Sequence, residues 1–364
     1  MQVVVIGAGP AGLATAACLQ RAGIRPLVLD QGDRVGRSWA ERYDRLHLHT
    51  PRVQSHLPGY RLPARAGRWV SRDDMAAYLR AYAEHHGIEV QLGIEVTSVR
   101  PVPGGYRVTG DGIDVTPTHV VLATGLNGVP VVPSWPGAES FTGQLIHASD
   151  YRSASAYRGR DVLVVGAGNT GAEIAADLAE SGVDNVWLSI RTPPHVIPRQ
   201  LGPLPATLLG IVQSFLPPAW TDPINRGLAK AFVGDLAPYG LPTPDEGLSA
   251  RMRRLGTVPT IDVGLIKQLK RGTIGVVHAV TAFDGATVEL SDGQLLRPHT
   301  VIAATGYRAG DAALLDSGWS DAAGLYRVGL TQSQKGLLLQ INLDARRVAR
   351  RIAAQNRPKR RHRR

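Results

Sequence analysis

The chain has a single cysteine, Cys18, among 364 residues. That excludes a disulfide framework, a thiolate metal cluster and a C-x-x-C redox pair. Aromatic residues make up only 5%, and no aromatic-basic interleaving of the kind that stacks nucleic-acid bases occurs. No apolar run approaches the roughly 20 residues of a membrane-spanning helix. The best stretch, residues 206–216, is short and meets Pro217-Pro218. Strand-like sequence begins at Gln2 with no signal peptide before it, so a cytoplasmic protein without a transmembrane segment is expected. Acidic residues are missing from positions 345–364, which carry ten Lys and Arg. Those ten supply nearly all of the formal net charge of +11 and leave the rest of the chain almost neutral. The charge therefore gives no reason to expect a specific nucleic-acid partner. Residues 346–351 have helix-face spacing, and 357–364 read as a solvated, disordered tail.

What is present is an α/β pattern. A 43% hydrophobic content with 41 glycines suits a globular α/β chain, and the length suggests two domains of roughly 100–200 residues each. Val3-Val4-Val5-Ile6 is continuous apolar sequence of the kind a buried parallel strand needs. It runs into Gly7-Ala8-Gly9-Pro10-Ala11-Gly12, then a helix through residues 13–22, then a second strand ending at Asp30. In a dinucleotide fold the three glycines make the turn, admit the pyrophosphate and let helix pack on strand, while a terminal acid binds a ribose hydroxyl. The pattern recurs. Val162-Leu163-Val164-Val165 leads into Gly166-Ala167-Gly168-Asn169-Thr170-Gly171, a helix over residues 172–180 and a strand over 185–190. This time the closing residue is Arg191. A guanidinium suits a 2′-phosphate where a carboxylate would repel it. The first site is thus expected to take a dinucleotide without that phosphate, and the second NADPH. Two such motifs imply two cofactors exchanging electrons, with FAD the usual acceptor of the NADPH hydride.

Two Ala-Thr-Gly elements, at residues 123–125 and 304–306, close later apolar strands and mark where each nucleotide domain hands the chain across. A helix is expected over residues 72–86, hairpin-like strands over 88–100 and 106–115, a polar linker around 152–158, and a last helix from about 343 into the basic tail. The Pro-rich stretch 195–246 breaks any regular pattern. The expected fold is α/β with two Rossmann-like domains, the NADPH domain inserted into the FAD domain. The FAD domain would comprise residues 1–152 and 296–364, and the NADPH domain residues 156–295.

Between the two units, Phe141, Gly143, His147 and Tyr151 fit F-x-G-x-x-x-H-x-x-x-Y at every fixed position. With both glycine motifs in order, the chain resembles the class B flavin-containing monooxygenases over most of its length. Blocks at 43–49, 195–199, 261–264 and 324–329 look like the YUCCA-type indole-3-pyruvate monooxygenases and their bacterial relatives. The resemblance implies that NADPH reduces FAD, that O2 is activated as a C4a-peroxyflavin, and that one oxygen atom passes to a small substrate: an α-keto acid such as indole-3-pyruvate, a soft N or S nucleophile, or a ketone. It implies FAD contacts from Gly7, Gly9, Pro10, Ala11, Gly12, Asp30, Gln31, Arg37, Ser38, Trp39, His47, His49, Val96, Ala123, Thr124 and Gly125. NADPH contacts would come from Gly166, Gly168, Asn169, Thr170, Gly171, Arg191, Thr192, Ala304, Thr305 and Gly306. No metal is implied, and whether the enzyme is a homodimer stays open.

His49 is the side chain the resemblance places beside the flavin, where many members carry Asn. A histidine there can donate a hydrogen bond, but its protonation becomes an issue near neutral pH. The other reading makes His47 and His49 structural hydrogen-bonders on one strand face. His147 could orient NADP or tie the two domains together by hydrogen bonds, and the second is favoured. Residues 208–216 could form an apolar lid or pocket wall, pack on the core, or touch another subunit or a membrane. An NADPH oxidase that releases peroxide uses the same cofactors and stands as the alternative. A flavoprotein that binds anionic polymers through its tail is the remaining one.

Overall fold

A computed structural model describes residues 2–311, 313–315 and 323–355. The strands of the two main sheets are, in chain order, β1 (Val3–Ile6), β2 (Leu27–Asp30), β3 (Val90–Leu92), β4 (His119–Leu122), β5 (Gln144–His147), β6 (Asp161–Val165), β7 (Asn185–Ser189), β8 (Gly275–Val277), β9 (Thr300–Ala303) and β10 (Leu325–Arg327). The chain divides into two compact units. One comprises Met1–Glu41, Thr50–Val129 and Arg308–Arg364; the other comprises Arg42–His49 and Pro130–Tyr307.

The first unit holds a parallel sheet in the order β10-β4-β1-β2-β3. Every residue of β1 and β4 is buried, as continuous apolar strands covered on both faces should be. Helix α1 (Pro10–Arg21) follows the glycine turn with Pro10 at its start, where the missing N–H costs nothing. Helix α2 (Arg72–His86) occupies the span expected for it. Ser71 caps it by accepting from Asp74 N, and Gly87 ends it in the left-handed conformation. The expected strand over 88–100 proves to be two: β3 joins the parallel sheet, and Val96–Val102 starts an antiparallel three-stranded sheet with Gly105–Gly110 and Ile113–Val115.

The second unit repeats this plan, with a parallel sheet in the order β8-β7-β6-β9-β5 and an antiparallel sheet built from Val280–Asp284, Thr287–Leu290 and Leu295–Leu296. Helix α3 (Asn169–Glu180) follows the second glycine turn. Here the structure corrects the expected boundaries. β5 and β9 are strands of the second sheet, so residues 130–152 and 296–307 leave the first unit, and the short segment 42–49 joins the second. Sequence spacing cannot tell which of two similar parallel sheets a buried apolar strand enters. The polar linker around 152–158 anchors itself through Ala154 and Tyr157, which join the core of the second unit, while Arg152, Ser155, Ala156 and Arg158 are exposed. The Pro-rich stretch is more regular than expected. It forms α4 (Ala206–Gln213) and α5 (Pro218–Phe232), with Pro217 and Pro218 at the start of α5 where proline is tolerated and Pro223 within it. A third helix, α6 (Leu248–Leu255), follows.

The last helix, α7 (Leu337–Gln355), starts earlier than expected and belongs to the first unit. Leu338, Ile341, Ala345, Val348, Ala349 and Ile352 form its buried stripe, while Arg346, Arg347, Arg350 and Arg351 are exposed. The basic tail 357–364 lies outside the described residues. Among the described residues, no helix is long and apolar enough to cross a membrane, and no cluster of His, Cys, Asp and Glu could hold a metal ion.

Candidate active site

Each unit presents a glycine turn at the end of its sheet. In the first, Gly7 has φ +104°, and a Cβ there would meet Ala123 O at 2.5 Å. A Cβ on Gly12 would stand 1.7 Å from Gly7 O, so turn and helix close directly on each other. Gly9 is different: nothing lies within 4 Å of where its Cβ would be, which leaves space beside the amides that open α1. Asp30, at the end of β2, accepts from Ala8 N at 2.5 Å and from Gly32 N at 2.7 Å. Each of its oxygens keeps another lone pair. The Thr124 hydroxyl is buried without a hydrogen-bond partner among the described residues. Gly7, Gly9, Pro10, Ala11, Gly12, Asp30, Ala123, Thr124 and Gly125 are thus drawn together at the carboxyl ends of the sheet's inner strands, with exposed Gln31 next to Asp30. Others sit differently. Val96 is a core residue packed with Leu29, and Arg37, on the short helix Arg37–Ala40 with Ser38 and Trp39, is paired with Glu41 at 2.7 Å.

The second turn reproduces the geometry. Gly166 has φ +107° and a would-be Cβ 2.6 Å from Ala304 O, Gly171 would crowd Gly166 O at 1.9 Å, and Gly168 opens on space. The two Ala-Thr-Gly elements therefore do the same work, each lining one glycine turn. Asn169 is not idle: it donates to Pro259 O (3.2 Å) and accepts from Ile261 N (2.7 Å), while Thr260 donates to Ala167 O (2.7 Å). Thr305 donates to Val131 O. Arg191 and Thr192 are exposed just beyond β7. A cavity of about 200 Å³ opens at this turn, walled by Ala167, Gly168, Thr192, His195 and residues of α6.

The F-x-G-x-x-x-H-x-x-x-Y residues have structural work within the second unit. Phe141 packs edge-on against Phe283, and the absence of a side chain at Gly143 lets that ring and His299 O approach. His147, at the end of β5, bonds Ser149 through Nδ1 and Gly306 O through Nε2 at 3.1 Å, so it ties β5 to the second Ala-Thr-Gly element. Burial lowers its pKa and keeps the imidazole neutral. Tyr151 donates to Asp177 on α3 at 2.5 Å.

The segment 42–49 lies along α3. Arg45 pairs with Glu180 and donates to Val263 O at 2.7 Å. Tyr43 donates to Glu173, a carboxylate only 2% exposed, and His49 Nε2 lies 3.5 Å from the other oxygen of that carboxylate. Arg199 donates to Leu48 O at 2.7 Å beside them. Burial pushes Glu173 up to about 7, against the pull of the Tyr43 hydrogen bond and the Arg199 and Arg45 charges. Burial and the Arg199 charge push His49 down to about 4. His49 is therefore neutral near pH 7, and the group that titrates there is Glu173. His47 is exposed and bonds Arg45 O instead, so the two histidines do not share a strand face. Glu173 was not singled out from the sequence. The available signal was an acid inside the otherwise apolar run Ala172-Glu173-Ile174-Ala175-Ala176 of a helix fated for burial.

Residues 4–196 match a family described as pyridine nucleotide-disulphide oxidoreductases. The probable indole-3-pyruvate monooxygenase YUCCA3 of Arabidopsis thaliana is 33% identical, over 96% of this chain and 86% of its own. The indole-3-pyruvate monooxygenase YUCCA1 of Oryza sativa subsp. japonica is 35% identical, over 97% and 91%. The chain belongs to the class B flavin-containing monooxygenases, of the YUCCA type. Solved structures of this class share its fold. A flavin-containing monooxygenase from Stenotrophomonas maltophilia superposes with TM-score 0.72 at 22% identity, covering 97% of this chain and 98% of its own. An open form of cyclohexanone monooxygenase gives 0.77 at 18% identity, covering 98% and 88%.

As a class B flavin-containing monooxygenase, the protein is an FAD- and NADPH-dependent enzyme that transfers oxygen to a substrate. Its two turns fit dinucleotides on their own geometry: open space at Gly9 and Gly168, backbone amides at the start of each helix, and an unpartnered hydroxyl at Thr124. The chain's one cysteine, Cys18, is unpaired and buried in α1.

Proposed function

We propose that this monooxygenase oxygenates an α-keto acid with an aryl side chain, of the indole-3-pyruvate kind. The observation that carries the reading is the 33–35% identity, spanning nearly the whole chain, to proteins named for that activity. In this reading the first glycine turn holds FAD, with Asp30 on its ribose and Thr124 offering its hydroxyl. The second turn holds NADPH, with Arg191 and Thr192 facing the 2′-phosphate. The chemistry the bound pair supplies is hydride delivery and activation of O2. One atom of O2 enters the product and the other leaves as water, with NADPH and a proton consumed. The chain's own tasks are to hold both dinucleotides and to keep water from the reacting atoms. His49 serves as a neutral hydrogen-bonding group for oxygen transfer, and Glu173 holds the nearby exchangeable proton. Small-molecule substrate and O2 are the partners, and the cytoplasm, where an unpaired cysteine is at home, is the compartment.

The test is oxygen bookkeeping. Purified, FAD-loaded enzyme is given NADPH, isotopically labelled O2 and indole-3-pyruvate, and NADPH loss, peroxide and labelled product are measured together. Product carrying one labelled atom, formed in step with NADPH loss, is expected. Peroxide matching NADPH loss with every aryl α-keto acid, sulfide, amine and ketone tried would make the protein an NADPH oxidase instead.

A further inference from the structure

The cavity at the second glycine turn has a wall that comes from far along the chain. Helix α6 brings Arg251 into it, so that it lines the same cavity as Thr192, Ala167 and Gly168. Arg251 Nη1 donates to Pro193 O at 2.8 Å, which pins the guanidinium against the segment that carries Arg191 and Thr192. The helix is itself held in place. Asp222 on α5 accepts from Ser249 N (2.6 Å) and Ala250 N (3.2 Å), and Thr221 and Asn225 both donate to the Ser249 hydroxyl. His195, also in the wall, bonds Glu246 O at 2.9 Å and is kept neutral chiefly by burial, so it brings no positive charge. Arg251 is therefore a cation supplied to this cavity by α6 and held in place.

We infer that Arg251 is a second determinant of NADPH specificity, reaching from α6 to the 2′-phosphate that Arg191 meets from the strand end. The inference rests on the reading of the second turn as the NADPH site. A phosphate dianion has three oxygens and accepts forked donors from more than one arginine, and a guanidinium already anchored by one N–H loses little freedom in presenting the rest. It also gives α6 a task at the cofactor, separate from any lid, packing or contact role of residues 208–216.

Binding of two fragments to the FAD-loaded enzyme tests this without turnover. Calorimetric titration with adenosine 2′,5′-bisphosphate and with AMP measures what the 2′-phosphate contributes. The wild type is expected to prefer the bisphosphate, and Arg251→Ala to lose about tenfold or more of that preference while AMP affinity holds, as for a lost charge-assisted contact. Arg251→Lys, which keeps the charge and loses the planar fork, is expected to fall between them. An unchanged preference in Arg251→Ala, or equal losses for both fragments, would overturn the role of Arg251 while leaving the site in place. No preference in the wild type itself would overturn the NADPH reading of the turn and this inference with it.

Discussion

His49 Nε2 faces Glu173 Oε1 across 3.5 Å, and the environment of each shifts the other way from its neighbour: the histidine down to about 4, the acid up to about 7. The imidazole expected to introduce a protonation problem near neutral pH is thus neutral there. The proton it would have carried resides on a carboxyl that the sequence hides inside a helix. Tyr43, pushed well above its usual range by burial and then by the Glu173 charge, stays a hydrogen-bond donor throughout.

This pair should be visible in stability against pH. A carboxyl raised in the fold contributes fully below its unfolded pKa and loses that contribution as pH rises toward the folded value near 7. A depressed histidine contributes fully above its unfolded pKa and loses it as pH falls through about 4. Between about pH 4.5 and 6.5 the two slopes oppose each other. Relative to wild type, Glu173→Gln should gain stability with rising pH across that window, and His49→Asn should lose it. Each change is on the order of 1–2 kcal/mol. Urea midpoints measured across the window decide it, and curves parallel to wild type for both variants would remove the proposed pair.

Coupling of NADPH use to product should depend on His49 as a neutral donor. His49→Ala is expected to raise the share of NADPH lost as peroxide several-fold, and His49→Asn to restore most of the coupling. In Glu173→Gln, which removes the neighbouring group that titrates near 7, the ratio should stay flat down to about pH 5, because the imidazole does not charge above that. A break near pH 6.5 in that variant would show that the imidazole charges there.

The glycines of each turn should separate cleanly into two kinds. At Gly168 a Cβ meets nothing within 4 Å, so Gly168→Ala should fold with wild-type stability to within about 0.5 kcal/mol. Its affinity for NADPH should nevertheless fall about tenfold, because the methyl takes the space left for a phosphate. Gly171→Ala should destabilise by at least about 2 kcal/mol, since its Cβ would stand 1.9 Å from Gly166 O. Thermal melts and NADP+ titrations on both variants separate the two effects.

Arg191→Ala should weaken NADPH by about tenfold or more and leave NADH nearly unchanged. Equal losses in kcat/KM for the two nucleotides would remove its phosphate role.

Cutting the chain after Gln355 should preserve both flavin content and melting temperature. The apolar stripe of α7 ends at Ile352, ahead of the cut. Loss of flavin would show that the basic tail belongs to the enzyme.

The local order of strand, glycine turn, helix and strand was legible in the sequence because adjacent residues decide it: apolar runs, positive-φ glycines and a terminal Asp30 or Arg191. The spacing of Phe141, Gly143, His147 and Tyr151 was legible for the same reason, and with the two turns it sufficed to identify the family. Three things were settled only by tertiary structure. Strands β5 and β9 joined the second sheet, because pairing partners lie far along the chain and many apolar strands would serve equally well. Arg251 reached the second turn from α6, a helix far beyond that turn in the chain. Glu173 became the neutral-pH titrating group, because a carboxyl's pKa is set by what is packed over it, and Tyr43, His49 and Arg199 are brought there by the fold.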